Sequence, residues 1–443
     1  MIDRRKFVAA TCASAVALMV GGTRLRAQSR PVVRPEDYGA RGDGRRDDTA
    51  ALQIAMDAVP AGGRLELRSG AVYRIDTRPN PGLRSFGGLK IRSGVTLDLN
   101  GAELRALPSG ETAGAVVQAH NANGWRIVGP GRIVGERAVH RGNAGEWIHG
   151  ISAFGSADWV VGPDLEVRGC WGDGIYVGHV PGQPGSYCRG FTIEGVHIHD
   201  CRRNGISVVG GRSGIIRNTH IHDIDGTSPR AAIDLEPDLP AHGNRDILID
   251  NVTTERVIIG IGISVSNDRV RITRSRIEAS NSGIIVSDHT RGLEIVDNVR
   301  IANTGGGAEG AAIRTVAARG ATIDGVLIRN NLLAGGGFFV IELTHTGYRN
   351  VTVTRNRINA SNPGTVGVAR MLGGGTFTDN VGVIERAAGS GHEHYIHFND
   401  VVYGGNSFES RSPLRMRGLV SRSSRDLGGN VIKTPDRLEL LIR

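Results

Sequence analysis

Along the middle of the chain a short motif returns: glycine or alanine, then isoleucine, a residue of changing polarity, and another apolar residue. It reads Gly174-Ile175-Tyr176-Val177, Gly205-Ile206-Ser207-Val208, Ala232-Ile233-Asp234-Leu235, Gly262-Ile263-Ser264-Val265, Gly283-Ile284-Ile285-Val286 and Ala312-Ile313-Arg314-Thr315. Ile341-Glu342-Leu343 continues it. The isoleucines lie 31, 27, 30, 21, 29 and 28 residues apart. Apolar residues at alternate positions predict strands that turn one face inward. A second unit, apolar-x-x-x-x-Ile, falls between the first: Ile193 to Ile198, Ile216 to Ile221, Ile272 to Ile277, Ile323 to Ile328 and Val353 to Ile358. Asn218, Asn251, Asn298 and Asn356 sit near the turns, where asparagine tolerates left-handed backbone and can stack its amide from coil to coil.

Two strands per repeat cannot bury their apolar face alone, so the repeats must stack. A propeller needs about 40–50 residues per repeat and aromatic signatures that this chain lacks. A leucine-rich repeat needs a leucine-dominated consensus. The pattern therefore predicts an all-β chain wound as a parallel β-helix, right-handed by the crossover preference. The beginning reads differently. Asp47-Asp48-Thr49 offers a helix start, Leu52, Ala55, Met56 and Val59 recur at helical spacing, and Pro60-Ala61-Gly62-Gly63 stops the helix before a strand at Arg64-Leu65-Glu66-Leu67. A helix within about residues 36–75 would cap one open end of the stack and block edge pairing. Residues 28–443 are read as a single β-helix domain.

Composition supports this. Glycine supplies 65 of the 443 residues, double its usual share, against only 9 Phe, 7 Tyr and 4 Trp. Without a three-residue glycine period the chain is no collagen, and 39% hydrophobic residues suffice for a core. No run of 18 apolar residues occurs, so no membrane association is expected once the N-terminal segment is removed.

That segment, residues 1–27, has a charged start (Arg4-Arg5-Lys6-Phe7), an alanine-rich apolar middle (Val8 to Gly22) and Ala27 as the expected cleavage point. The paired arginines resemble a twin-arginine signal, which implies the twin-arginine export machinery as a partner and a periplasmic or secreted protein exported folded. Removing the segment lowers the net charge from +9 to +5. That excess is too diffuse to point to nucleic acid and only weakly favours an acidic substrate. Cys170, Cys188 and Cys201 remain, without C-x-x-C spacing, so no zinc site is expected. Cys170 and Cys201 each precede a repeat isoleucine by five residues and should stack; a disulfide stays open, beside two small buried residues in a ladder.

Asp37-Tyr38-Gly39-Ala40, Gly42-Asp43-Gly44 and Asp47-Asp48-Thr49-Ala50-Ala51-Leu52-Gln53, followed by Gly62-Gly63-Arg64-Leu65 and Gly70-Ala71-Val72-Tyr73, resemble the N-terminal signature of the pectate-lyase-like superfamily. The resemblance implies a right-handed β-helix of the kind that carries polygalacturonases, rhamnogalacturonases, lyases and phage tail spikes. It says little about the reaction, since one fold hosts many chemistries.

In such a fold the interior is packed, so chemistry lies on an outer face or in loops. Ile233 and Leu235 point inward, which sets Asp234 and Glu236 outward on one face with Cα atoms roughly 6.6 Å apart. Carboxylates about 5–9.5 Å apart serve glycosidases as acid and nucleophile or base. With Ser207 and Ser264 expected on the neighbouring coils, the pair would stand in a mostly neutral patch. Hydrolysis of a polysaccharide by Asp234 and Glu236 is the preferred reading. A second is β-elimination of a uronate polymer, with calcium on Asp234, Glu236 and Asp238 and Arg230 as base, as such lyases often use arginine or lysine. A third is a non-catalytic glycan-binding protein. Tyr176, His179, Arg212, Asp238, His242 and Arg314 are candidate sugar-binding residues.

The Asn-Thr-Asp, Asp-Asp, Gly-His-Gly and Arg-Ile-Lys motifs of polygalacturonases are not reproduced. Gly178-His179-Val180 is an incomplete match, and the Asp-Pro-His motif of alginate epimerases is missing. No metal is assigned to His392, His394 and His397, and Gly335-Gly336-Gly337 is read as a turn.

Overall fold

The structure is a computed structural model that describes residues 31–433, apart from 79–86, 181, 184, 239–241, 306–309, 317–320, 336, 346, 361–366, 386–393 and 411–416. The export segment read at residues 1–27 and His392 lie outside the described residues. Pro31–Arg443 form one compact unit. Among the described residues no helix is long and apolar enough to cross a membrane.

Among the described residues the chain winds so that successive coils add strands to three parallel sheets of 17, 15 and 13 strands. The sequence pattern showed two strands per repeat; the third comes from the second motif, which is two strands folded about a corner. Ile193 lies in Thr192–Glu194 of the first sheet, Ile198 in Val196–His199 of the second, and Gly195 turns between them at φ 60°. Asn218 and Asn251 make the same corner at φ 52° and 51°. Asparagine adopts this conformation more readily than most residues with a Cβ. Ile323 and Ile328 depart from the expectation. Both belong to Ile323–Arg329, Ile328 stacks between Ile295 and Val353, and the corner falls at Asn330.

The core is a set of inward columns. One stacks Ile175, Ile206, Ile233, Ile261, Ile284, Ile313 and Ile341 through successive strands of the third sheet. The motif alignment placed Ile263 in that column, but Ile263 stacks on Leu235 instead. Ile261 and Ile263 are both inward and fully buried, so a two-residue slip keeps every side chain on its face. Trp125, Trp159 and Phe191, all fully buried, stack with centroids 4.7 and 5.1 Å apart. Cys170, Cys188 and Cys201 are free thiols and buried, with Cys170 donating to the Arg168 carbonyl at 3.7 Å and Cys201 to the His199 carbonyl at 3.5 Å.

Past the corner residues of the later coils runs an asparagine ladder. Asn298, Asn331, Asn356 and Asn380 each donate both the backbone N–H and the side-chain Nδ2 to the Oδ1 of the next, ending on Asn406, at 2.8–3.1 Å. Asn406 repeats this onto Asn430. All members but Asn430 are buried.

At the first coils, helix α1 (Thr49–Ala58) packs Leu52, Ala55 and Met56 into the core. Asp48 stands at its N-cap position but makes no cap bond; its carboxylate instead accepts the N–H groups of Arg41 and Gly42. The latter part of the cap segment already forms a coil, since Arg64–Glu66 and Val72–Ile75 pair with Thr96–Asp98 and Glu103–Ala106.

Candidate functional site

The outward column of the third sheet runs Ser152, Tyr176, Ser207, Asp234, Gly262, Ile285, Arg314, Glu342. Asp234 thus has Ser207 on one side, as expected, and Gly262 on the other where Ser264 was expected; the register slip accounts for the change. A Cβ on Gly262 would stand 2.8 Å from Asp234 Oδ1. We expect Gly262→Ala to push the carboxyl aside and lower turnover on order of 10–100-fold while the coils stay folded, which paired activity and circular dichroism measurements would check.

The patch is not neutral. Asp173, just before Ile175–Gly178, is fully buried and accepts the N–H of Asn204 at 3.0 Å. Arg203 Nη1 reaches the same carboxylate at 3.3 Å and the Ser207 hydroxyl at 3.5 Å. Asn204 Nδ2 donates to Ser207 Oγ at 3.0 Å and to Asp234 Oδ2 at 3.3 Å, while its Oδ1 accepts the N–H of Ala231. One amide therefore ties two neighbouring strands together around Asp234.

Burial and the adjacent Glu236 carboxylate push Asp234 up to about 8; Arg203 opposes this and Asp173 adds to it. The Asp234 and Glu236 carboxyls are hydrogen-bonded to each other. Pro237 follows Glu236 directly and disfavours helical backbone there, just past the strand end. Burial also raises Asp173, against the pull of Arg203, Ser207 and Asn204. Burial opposes the charge of Arg203, but Asp173, Asp234 and Glu146 outweigh it and hold the guanidinium cationic. His149, wholly buried, is pushed down to about 3 by burial and by Arg203. It is neutral, and its Nδ1 accepts the N–H of Asp173, so its 3.6 Å approach to the Asp173 carboxylate is no ion pair.

Of the sugar-binding candidates, Tyr176 stacks on His149 at 4.8 Å, two strands from Asp234. His179 and His242 have ring centroids 4.1 Å apart, with Asp238 at 3.7 Å from His179. Arg314 shares the column, three strands beyond Asp234. Arg212 lies in the first sheet and covers the Tyr187 ring at 3.6 Å. Arg230 carries its guanidinium 3.4 Å from Asp225. Two surface hollows, one over Gly131 and Glu166 and another over Asn244 and Asp268, lie away from the pair. Asp173, His149, Arg203 and Asn204 were missed from the sequence. Asp173 and Asn204 hold the same place, two residues before the repeat isoleucine, and aligning that position would have found them.

Residues 149–308, which contain Asp234, Glu236 and their partners but not Arg314, match the family described as right handed beta helix region. The A-module of mannuronan C-5 epimerase AlgE6 of Azotobacter vinelandii superposes with a TM-score of 0.58 at 15% identity, over 91% of this chain and 100% of that one. The fold is the right-handed parallel β-helix. This β-helix is also 34% identical over 167 residues to mannuronan C5-epimerase AlgE3 of the same organism, covering 37% of this chain and 8% of the epimerase. It is 29% identical over 168 residues to alginate lyase 7 of that organism, covering 38% of this chain and 17% of the lyase. The chain thus spans under a fifth of either relative.

Proposed function

We propose that this β-helix binds an acidic polysaccharide along the third sheet and hydrolyses its glycosidic bonds, with Asp234 as general acid and Glu236 as base or nucleophile. The observation that carries this is the burial of Asp234 beside a second carboxylate, which pushes its pKa up to about 8. A carboxyl poised near the working pH is the acid that leaving-group protonation needs. Asp234 gives its proton to the departing oxygen; Glu236 attacks the anomeric carbon or takes a proton from attacking water. The two carboxyls touch in the free protein, so substrate has to part them to the roughly 5–9.5 Å that glycosidases use. Polysaccharide-acting relatives support the substrate class. The N-terminal segment supports export by the twin-arginine route to the periplasm or medium.

The alginate lyase and epimerase relatives favour a second reading, β-elimination of a uronate polymer. Protonated Asp234 would then hydrogen-bond the uronate carboxylate, making the adjacent C–H more acidic; Glu236 would remove that proton, the C–H electrons forming the C4–C5 double bond as the C4–O bond breaks and the departing oxygen takes a proton from water. Arg230, drawn to Asp225, is poorly set to be the base. Asp238 groups with His179 and His242, so the three carboxylates that calcium would use do not converge, and no step is drawn through the ion.

The test incubates the protein with polyuronates and neutral polysaccharides, following reducing ends and the ultraviolet absorbance of unsaturated uronate together. New reducing ends without absorbance support hydrolysis. Both rising together would replace it with elimination. Neither signal, with retained binding, would leave a glycan-binding protein.

A further inference from the structure

The tetrapeptide His-Ile-His-Asp occurs twice, as His197-Ile198-His199-Asp200 and His220-Ile221-His222-Asp223. Successive coils of the second sheet bring the two copies side by side, with His197 paired to His220 and His199 to His222. Ile198 and Ile221 enter the core, so all four imidazoles face outward in a two-by-two grid. Rings across the strands stack at 5.2 and 4.9 Å. His197 Nε2 lies 2.6 Å from His222 Nε2.

We propose that His197, His220 and His222 bind one divalent transition-metal ion of the zinc class, joining two coils outside the carboxyl site. One ligand nitrogen from each of the three lies within 4.8 Å of the others. Carboxylates behind the rings aim them. Asp223 Oδ2 lies 2.5 Å from His222 Nδ1, which engages that nitrogen from behind and leaves Nε2 as the atom turned toward His197. This is the carboxylate–histidine arrangement that orients metal ligands and raises their basicity. Glu255 stands 3.1 Å from His220 Nε2, and Asp200 and Glu166 hold His199 beside the trio. Arg256 pairs with Asp223 and approaches His222 Nδ1 at 3.1 Å, fixing that carboxylate. Nitrogen donors suit zinc, copper or nickel rather than calcium. Metal–nitrogen bonds of about 2.0–2.1 Å require the two Nε2 atoms to move apart by less than about 1 Å.

The test uses the chain purified without a histidine tag, stripped with chelator and titrated with Zn²⁺ in a calorimeter. Cobalt(II) provides an optical readout of the coordinating nitrogens. One saturable site is expected, weakened at least about 100-fold in His197→Asn/His222→Asn and unchanged in His242→Asn, which removes a ligand from the other histidine group. Circular dichroism confirms that the variants fold; the substituted side chains face solvent. Absence of saturable binding, binding unchanged in the double variant, or loss with His242→Asn would each overturn the assignment.

Discussion

Asp234→Asn is expected to lower polysaccharide turnover by about 10²–10⁴-fold, the range that a positioned general acid contributes. The amide keeps the shape and the bond from Asn204 but has no proton to give. In the wild type, activity should fall as pH rises through about 8, where Asp234 loses its proton. The variant's residual rate should lack that limb. Initial rates across pH would check both, and an alkaline limb surviving in Asp234→Asn would assign the acid elsewhere. Stability should move oppositely. Below the ordinary carboxylate range Asp234 is protonated in folded and unfolded chains alike, and the two proteins match. Between that range and about 8, only the folded chain keeps the proton, so wild-type stability declines with pH. Asparagine escapes the decline, and Asp234→Asn should melt several degrees higher at pH 8 yet equally at pH 3. Lost activity with gained stability is what burial of an acid for function, against stability, predicts.

The second large effect lies in the ladder. Asn356→Ala removes the Oδ1 that receives both the backbone N–H and the Nδ2 of Asn331 at 3.0 Å. Both donors are buried, and each orphan costs about 1–3 kcal/mol, so a loss of roughly 2–6 kcal/mol is expected in urea unfolding. Asn251→Gly, at an exposed left-handed corner, should cost under about 1 kcal/mol, because glycine adopts that backbone freely. Equal losses at the two positions would show that the corner, not the amide chain, holds the coils together.

How much of this was legible follows from what the pattern records. The isoleucine period reports burial, so it disclosed the coils, the inward faces and the outward placement of Asp234. It could not report register: Ile261 and Ile263 are equally apolar, and only the backbone decides which continues the column. The third sheet was hidden because a single left-handed residue turns the corner and the apolar spacing runs through it unbroken. Asp173 and His149 were invisible for another reason. They are polar residues with almost no exposure, and their meaning comes from Arg203 and Asn204, a coil further along. The asparagines were noticed, but Asn218 and Asn251 form exposed corners while Asn298 and Asn356 form the buried ladder.

The ladder also has a direction. Every amide gives its backbone N–H and one Nδ2 bond to the coil that follows, offers its oxygen to the coil before, and gives a second Nδ2 bond back to a carbonyl of that earlier coil. A coil is therefore an interchangeable link: any insertion bringing its own asparagine at the same place satisfies both neighbours at once. Lengthening by whole coils should then be nearly seamless, whereas a cut through the stack leaves bare donors on its N-terminal piece. Such a molecule can gain length by duplication without redesigning a core, and extend the rail along which a long polymer would lie.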